Sequence, residues 1–359
     1  MSNNPYLNLP DYHFWSKSIS EVHPSKIDPV VKSFRISRSE KIATMGSCFA
    51  QNLSNIIKEV GFNFFVPEGN PGHLSYNQAK IRQYGAFSAR FGNVYTTRQA
   101  LQLFERAFGT FKPDENIWKN KDKVVDAFRP TIEPNGFSNS KQLLEDREQH
   151  LFFVREMFEK MDVFIFTLGL TEAWTNNNDG SIYPLAPGVR GGSFDRNVSF
   201  INFSLEEVKR DLENLIGLIS QKNNRCKIIL TVSPVPLIAT YEDRSVLVST
   251  CYSKAVLRVA CDEIEKKFKN VTYFPSFEII TSPANSNKYF QEDLRQVTEM
   301  GVMHVMNVFK NNFLFLKKRK QFFQKQNLEF MRSENDIHCD EEFIEEAIIN
   351  SGLKHFPKD

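Results

Sequence analysis

Lys41-Ile42-Ala43-Thr44-Met45-Gly46-Ser47-Cys48-Phe49-Ala50 is the stretch whose reading decides the fold. Its first half is a short apolar run that breaks at Gly46. Phe49, Leu53, Ile56, Ile57 and Val60 then recur at helical spacing, and Gly61 closes the run. A strand therefore passes through one tight turn into an amphipathic helix. Open α/β sheets bind ligands outside the carboxyl ends of their strands, which is where this turn places Ser47 and Cys48. The helix start aims its first N–H groups at the same point, an arrangement suited to negative charge. Two readings of Ser47 stay open: the N-cap of the helix, or a small nucleophile exposed at a strand-to-helix turn.

Working outward, three more short apolar runs end in turn-forming residues. Met161 to Thr167 exits at Leu168-Gly169, Cys226 to Val232 at Ser233-Pro234, and Val271 to Phe274 at Pro275-Ser276. Such runs fit parallel strands buried on both faces. Helical patterns separate them: Ser140 to Lys160, a capping box at Ser204 and Glu207 opening a helix to about Gln221, Tyr252 to Lys269, and Thr298 to about Leu316. The alternation predicts an α/β chain, a three-layer α/β/α sandwich around a central parallel sheet. Loop insertions interrupt it at 62–135, which holds a helix near Thr97 to Phe108, and at 175–202, which holds Gly188, Gly191 and Gly192. The expected organisation is an irregular leader over 1–38, the α/β domain over 39–316, and a charged helical appendage over 317–359.

A chain of 359 residues can bury a large core. Its 45 basic and 43 acidic residues leave a net charge of +2, which argues against a nucleic-acid partner. The basic run Lys317-Lys318-Arg319-Lys320 reads as a solvated helix face. The 33 Phe residues are spread along the chain and read as core. Five cysteines without a CxxC pair fit a reducing compartment. Residues 1–20 carry no apolar signal-like run, and no apolar stretch approaches the roughly 20 residues that span a bilayer. These readings predict a soluble, cytoplasmic protein. His13, His23, His73, His150, His304, His338 and His355 are scattered without HxH or HExxH spacing, so neither a metal nor a cofactor is expected.

Polar residues follow every strand: Ser47, then Thr171 and Glu172, then Ser233, then Ser276. Turn chemistry explains part of this, and a site at one sheet edge explains the rest. Cys48 is a rival nucleophile by position, though its side chain is expected to turn away from Ser47 into the interior. Arg90, Arg129, Arg190 and Arg295 are each suited to a carboxylate or phosphate, or to a salt bridge. Trp174 and Tyr183 suit either a sugar ring or core packing. His73, in the loop Gly69-Asn70-Pro71-Gly72-His73, is placed at the mouth of the site.

Gly46-Ser47-Cys48-Phe49-Ala50 is also letter for letter the motif that names the GSCFA domain family. The resemblance continues through Tyr84 to Thr96, Phe128 to Pro134, Thr167 to Trp174, Thr231 to Pro236, Asp293 to Arg295, Val297 to Glu299 and His304 to Met306. It covers about residues 40–310. The family is similar to the SGNH/GDSL hydrolases, which the resemblance implies share an α/β/α flavodoxin-like fold with a serine nucleophile after the first strand and a histidine base near the carboxyl end. It implies that Ser47 is the nucleophile and that its amide, with Gly92 and Asn93, forms the oxyanion hole. Thr171 would stand where the relatives place an Asn donor. The relatives' Asp-x-x-His block falls on Asp293 and Gln296, and Gln is not a base; His304, further on and within the predicted helix, is then the candidate. The expected function is an esterase or acyltransferase acting on a carbohydrate-type ester, a small molecule or glycan, in polysaccharide biosynthesis. The alternative, favoured by Gln296, is a non-catalytic descendant that binds a glycan or nucleotide sugar.

Overall fold

The computed structural model describes residues 4–316, 337 and 339–350. The basic run at 317–320, His338, His355 and most of the charged tail lie outside the described residues. In chain order the main elements are β1 (Ile42–Gly46), α1 (Ala50–Glu59), α2 (Tyr76–Ile81), α3 (Thr97–Ala107), β2 (Ile117–Asn120), β3 (Lys123–Asp126), α4 (Ser140–Lys160) and β4 (Val163–Leu168). They continue with β5 (Glu172–Asn176), β6 (Ile182–Tyr183), β7 (Val198–Asn202), α5 (Leu205–Lys222), β8 (Lys227–Val232), α6 (Val246–Lys267), β9 (Val271–Tyr273), α7 (Ser276–Thr281), α8 (Glu299–Phe313) and α9 (Glu342–Asn350).

The central sheet is parallel, with order β1-β4-β8-β9. Residues 63–65 extend it outside β1: the Ile42 N–H donates to Asn63 O at 2.9 Å, and the Phe65 N–H to Ile42 O at 2.8 Å. The chain thus adds first to one side of β1 and then to the other, making the gap between β1 and β4 the switch point of the sheet. Alternate side chains of each strand face opposite helix layers. Ala43, Met45, Phe164, Phe166, Ile228 and Leu230 pack with α3, α4, α5 and α6. Ile42, Val163, Ile165 and Ile229 pack with Leu53, Ile56 and Ile57 of α1 and with α7 and α8. This is the expected three-layer α/β/α class.

The expected helices are present. Asn139 caps α4 at Gln142 N, and Ser204 and Glu207 form the capping box of α5. The helix expected from Tyr252 begins earlier, at Val246, because Ser245 caps it through Leu247 N. The two expected loops hold more structure than their composition suggested. Residues 172–202 form an antiparallel sheet of order β6-β5-β7, where Trp174 pairs with Tyr183 and Phe200. Residues 117–126 form the β2–β3 hairpin. Trp118, Val125, Phe128, Tyr183 and Val198 unite the two in a core of their own. Near the amino end, the Ile36 N–H donates to Phe313 O at 2.7 Å and the Phe315 N–H to Ile36 O at 2.9 Å. No described helix is long and apolar enough to cross a membrane.

Candidate active site

Gly46 sets the turn. Its φ is +142°, and a Cβ there would lie 2.3 Å from Thr167 O, so a side chain is excluded both by conformation and by β4. The chain can then cross the end of the sheet closely enough to begin α1 at once. The first turn is closed by backbone alone: the Ala50 N–H donates to Ser47 O at 2.9 Å and the Gln51 N–H to Cys48 O at 3.1 Å. No side chain caps the helix. Ser47 is therefore not the cap. Its Oγ is buried and makes no hydrogen bond to any described residue, unusual for a buried hydroxyl.

Two cavities meet here. The smaller, about 10 Å³, is lined by Ser47, Cys48, Tyr95, Gly169, Leu170, Ser233, Lys254 and Glu341, among others. That is room for about one water. The larger, about 170 Å³, shares Tyr95, Leu170, Leu237 and Glu341 with it and runs along Glu172, Trp174, Phe200, Thr240 and Tyr241 to Ile344. The Trp174 and Tyr241 rings stand edge to face at 4.8 Å. Glu172 accepts a 2.7 Å bond from Thr240 Oγ1, and burial pushes its carboxyl up. Gly169 is hemmed in as well, since a Cβ on it would come within 3.2 Å of Ser47 Cβ.

Burial disfavours the charged forms of the groups around the small cavity. Burial pushes the Tyr95 phenol and the Glu341 carboxyl up and brings Lys254 down to about 8. Cys48 is 6 % exposed and shares the cavity with Ser47. Its bond to Cys339 and its burial push its thiol up, so it sits there as a neutral thiol, not a thiolate. Lys254 Nζ donates to Gly169 O at 2.6 Å.

Residues from the far end of the chain complete the site. Asp340 is 3 % exposed. Its Oδ2 accepts from Asn93 Nδ2 at 3.0 Å and from the Asn93 N–H at 3.4 Å, and its Oδ1 accepts from Thr131 Oγ1 at 2.7 Å. Glu341 Oε2 accepts from Arg295 Nη2 at 2.6 Å. Behind them α9 carries Phe343 under the Arg190 guanidinium at 4.3 Å and Ile344 into the larger cavity.

The expected residues divide clearly. Ser47 and Cys48 share the small cavity. Asn93 offers donors to an anionic oxygen, and Gly92 borders the same carboxylate, a Cβ there lying 3.9 Å from Asp340 Oδ2. The Ser47 amide instead donates to Thr167 O at 3.2 Å, continuing the sheet. Glu172 lines the larger cavity. Thr171 is buried in structural bonds, its N–H to Ser253 Oγ and its Oγ1 to Asn202 Oδ1. Arg90 sits among Glu68, Glu133 and Asp146. His73 lies exposed in its loop and lines neither cavity. His304 is not brought to Ser47: its Nδ1 bonds Tyr289 Oη at 2.9 Å and its Nε2 bonds Ile27 O at 2.8 Å, which occupies both ring nitrogens. Asp293 spends its Oδ1 on the N–H groups of Arg295 and Gln296.

Sequence reasoning passed over Lys254, Asp340 and Glu341. A signal for the first was present: Lys254 is in helical step with Leu257 and Cys261, so it falls on the buried face of α6. Acidic residues in a charged tail give no such signal.

No curated protein matches this chain at a significant level. Among solved structures, a chain described as a platelet activating factor from Streptococcus pneumonia is similar over 48% of this chain and 66% of its own, just under two thirds, with 15% identity and a TM-score of 0.26. A chain described as a GDSL-like lipase from Parabacteroides merdae is similar over 78% of this chain and 98% of its own, with 13% identity and a TM-score of 0.32. A mutant of an acetyl-xylooligosaccharide esterase from Geobacillus Stearmophilus is similar over 80% of this chain and 100% of its own, with 15% identity and a TM-score of 0.31. The family model described as GSCFA family matches residues 41–309, three quarters of the sequence and the whole sheet with its switch point. The chain belongs to the GSCFA family.

Proposed function

We propose that the protein is a serine esterase or acyltransferase of the SGNH type, acting on a carbohydrate-type ester. The observation that carries this reading is Ser47 Oγ, buried and without a described hydrogen-bond partner at the switch point of a parallel sheet. A hydroxyl spent on neither capping nor packing is free to attack. Ser47 Oγ adds to the acyl carbonyl carbon, the ester C–O bond breaks and the alcohol leaves. The acyl group on Ser47 then passes to water or to a sugar hydroxyl. Asn93 is the oxyanion donor in this scheme, supported by the two hydrogen bonds it makes to a carboxylate oxygen of Asp340. The larger cavity, with the Trp174 and Tyr241 rings beside Glu172 and Thr240, suits a sugar ring stacked on aromatics and fixed by a few polar groups. A place in polysaccharide biosynthesis belongs to the same reading.

A second reading, a binding protein without turnover, is favoured by Glu341, which lines the small cavity beside Ser47, by Asp340, which takes the Asn93 donors, and by Gln296 in the place of the relatives' histidine. Hydrolysis of 4-nitrophenyl acetate by the wild type and by Ser47→Ala separates the two. Turnover that disappears in the variant supports the enzyme; equal rates in both remove Ser47 as nucleophile and leave the binding reading.

A further inference from the structure

We propose that Lys254 is the proton acceptor of Ser47, in a serine–lysine arrangement that replaces the histidine the family resemblance led one to expect; the inference rests on the esterase reading above. Lys254 comes from α6, which is far from Ser47 in sequence but delivers its side chain to the same water-sized cavity. Nζ is fixed there by its 2.6 Å bond to Gly169 O, and Gly169 is the residue packed against Ser47 Cβ. The amine thus shares a water-sized cavity with Ser47 Oγ, to which it makes no direct bond, and is held there by a carbonyl that leaves its lone pair uncommitted once it is neutral.

Burying a lysine that is only 4 % exposed, with a backbone carbonyl as its partner, is costly. Lysines held this way serve as bases because burial favours the neutral amine. The other titratable groups facing the cavity are poorer acceptors. The Cys48 thiol and the Tyr95 phenol are protonated donors, and Glu341 already holds Arg295. The charged and titratable surroundings of Nζ are Glu341 and Cys48, which pull its proton affinity up, and Arg295, which pushes it down; Cys339 and Tyr95 stand behind them. With burial dominant, the balance falls at about 8.

The proton inventory closes. The Nζ lone pair takes the Ser47 Oγ proton as the bond from Oγ to the acyl carbon forms. The resulting ammonium gives that proton to the alkoxide as the ester C–O bond breaks. Deacylation repeats the exchange with water or a sugar hydroxyl, and Lys254 ends as it began.

The test uses the full-length protein and 4-nitrophenyl acetate between pH 6 and 10, with the wild type, Ser47→Ala, Lys254→Met and Lys254→Arg. The expected result is a kcat in Lys254→Met lower by about 10²–10⁴-fold. The rising limb of the wild-type profile, centred near pH 8, is lost with it, and Arg does not restore either. A Lys254→Met enzyme that keeps the wild-type kcat and the same rising limb, while Ser47→Ala is inactive, overturns the lysine and leaves the esterase reading standing. Equal rates for wild type and Ser47→Ala overturn both. Should Lys254→Met not fold, labelling of Ser47 in the wild type by a fluorophosphonate decides. Labelling that accelerates through pH 8 supports Lys254; a rate flat from pH 6 to 9, or no labelling, rejects it.

Discussion

Two buried polar regions of this molecule are built on opposite electrostatic plans. In the first, Arg129 bridges Asp126 and Asp146, Arg147 joins Asp126, Arg90 reaches Asp146 and Glu133, and Glu68 holds His150 Nδ1 at 2.7 Å. The surrounding arginines hold Asp126 and Asp146 well below the usual carboxylate range despite their burial, and the carboxylates raise Arg129 in turn. In the second, around Ser47, burial pushes Lys254 down and Tyr95 and Glu341 up, while the bond to Cys339, with burial, pushes Cys48 up. Arg106 marks the border. It lies beside the network, its Nη2 has no described partner, and burial lowers it to about 9. Burial among several opposite charges fixes those charges and holds the fold; burial that outweighs its charge partners favours neutral groups, ready to exchange protons.

The contrast can be broken at either end. The largest expected effect is Ser47→Ala, with ester turnover reduced by about 10³-fold or more and the urea midpoint little changed. A variant that loses stability but keeps turnover would make Ser47 a structural residue. Next comes Arg129→Met, which takes the shared arginine from Asp126 and Asp146, leaving them Arg147 and Arg90, and is expected to remove about 3 kcal/mol of stability in urea titrations. A neutral outcome there would mean the network does not hold the fold.

Lys254 supplies the converse. Its value falls from 10.5 in the open chain to about 8 in the fold, so between those limits the unfolded chain binds the extra proton and stability rises with pH. Lys254→Met should therefore be the more stable protein at pH 7, by an advantage that shrinks by about 3 kcal/mol as pH approaches 10.5. An advantage independent of pH would count against the depressed lysine. Asp340→Asn comes lower in the scale, with hydrogen exchange in α9 expected to ease by about 1–2 kcal/mol as a charge-assisted bond is weakened. Smallest of all is His304→Gln, expected to keep the wild-type pH profile; a changed profile would bring His304 back into the chemistry.

The parts of the fold legible in the sequence are those fixed by neighbours in the chain. Gly46 before an apolar helical stripe, the capping box at Ser204, and the strand exits at Leu168 and Val232 carry their own local physics. The β5–β7 sheet was hidden because Trp174, Tyr183 and Phe200 meet only across strands, between Asn- and Gly-rich turns. The site was half legible for the same reason. Ser47, Gly92 and Asn93 sit in motifs, whereas Lys254 and Glu341 reach the cavity only by tertiary packing. His304 falls on the buried side of α8, as periodicity suggests, but periodicity does not say which neighbours wait there; they are Tyr289 and Ile27.

To any solute seeking Asn93 and Thr131, Asp340 is a rival that does not dilute. It joins Asn93 from 247 residues along the chain and is tethered to the surface it occupies. A group on the same chain competes as an intramolecular ligand, at an effective concentration that a free solute has to match. A free carboxylate or phosphate therefore competes on unequal terms, its apparent Kd multiplied by whatever advantage the tether confers.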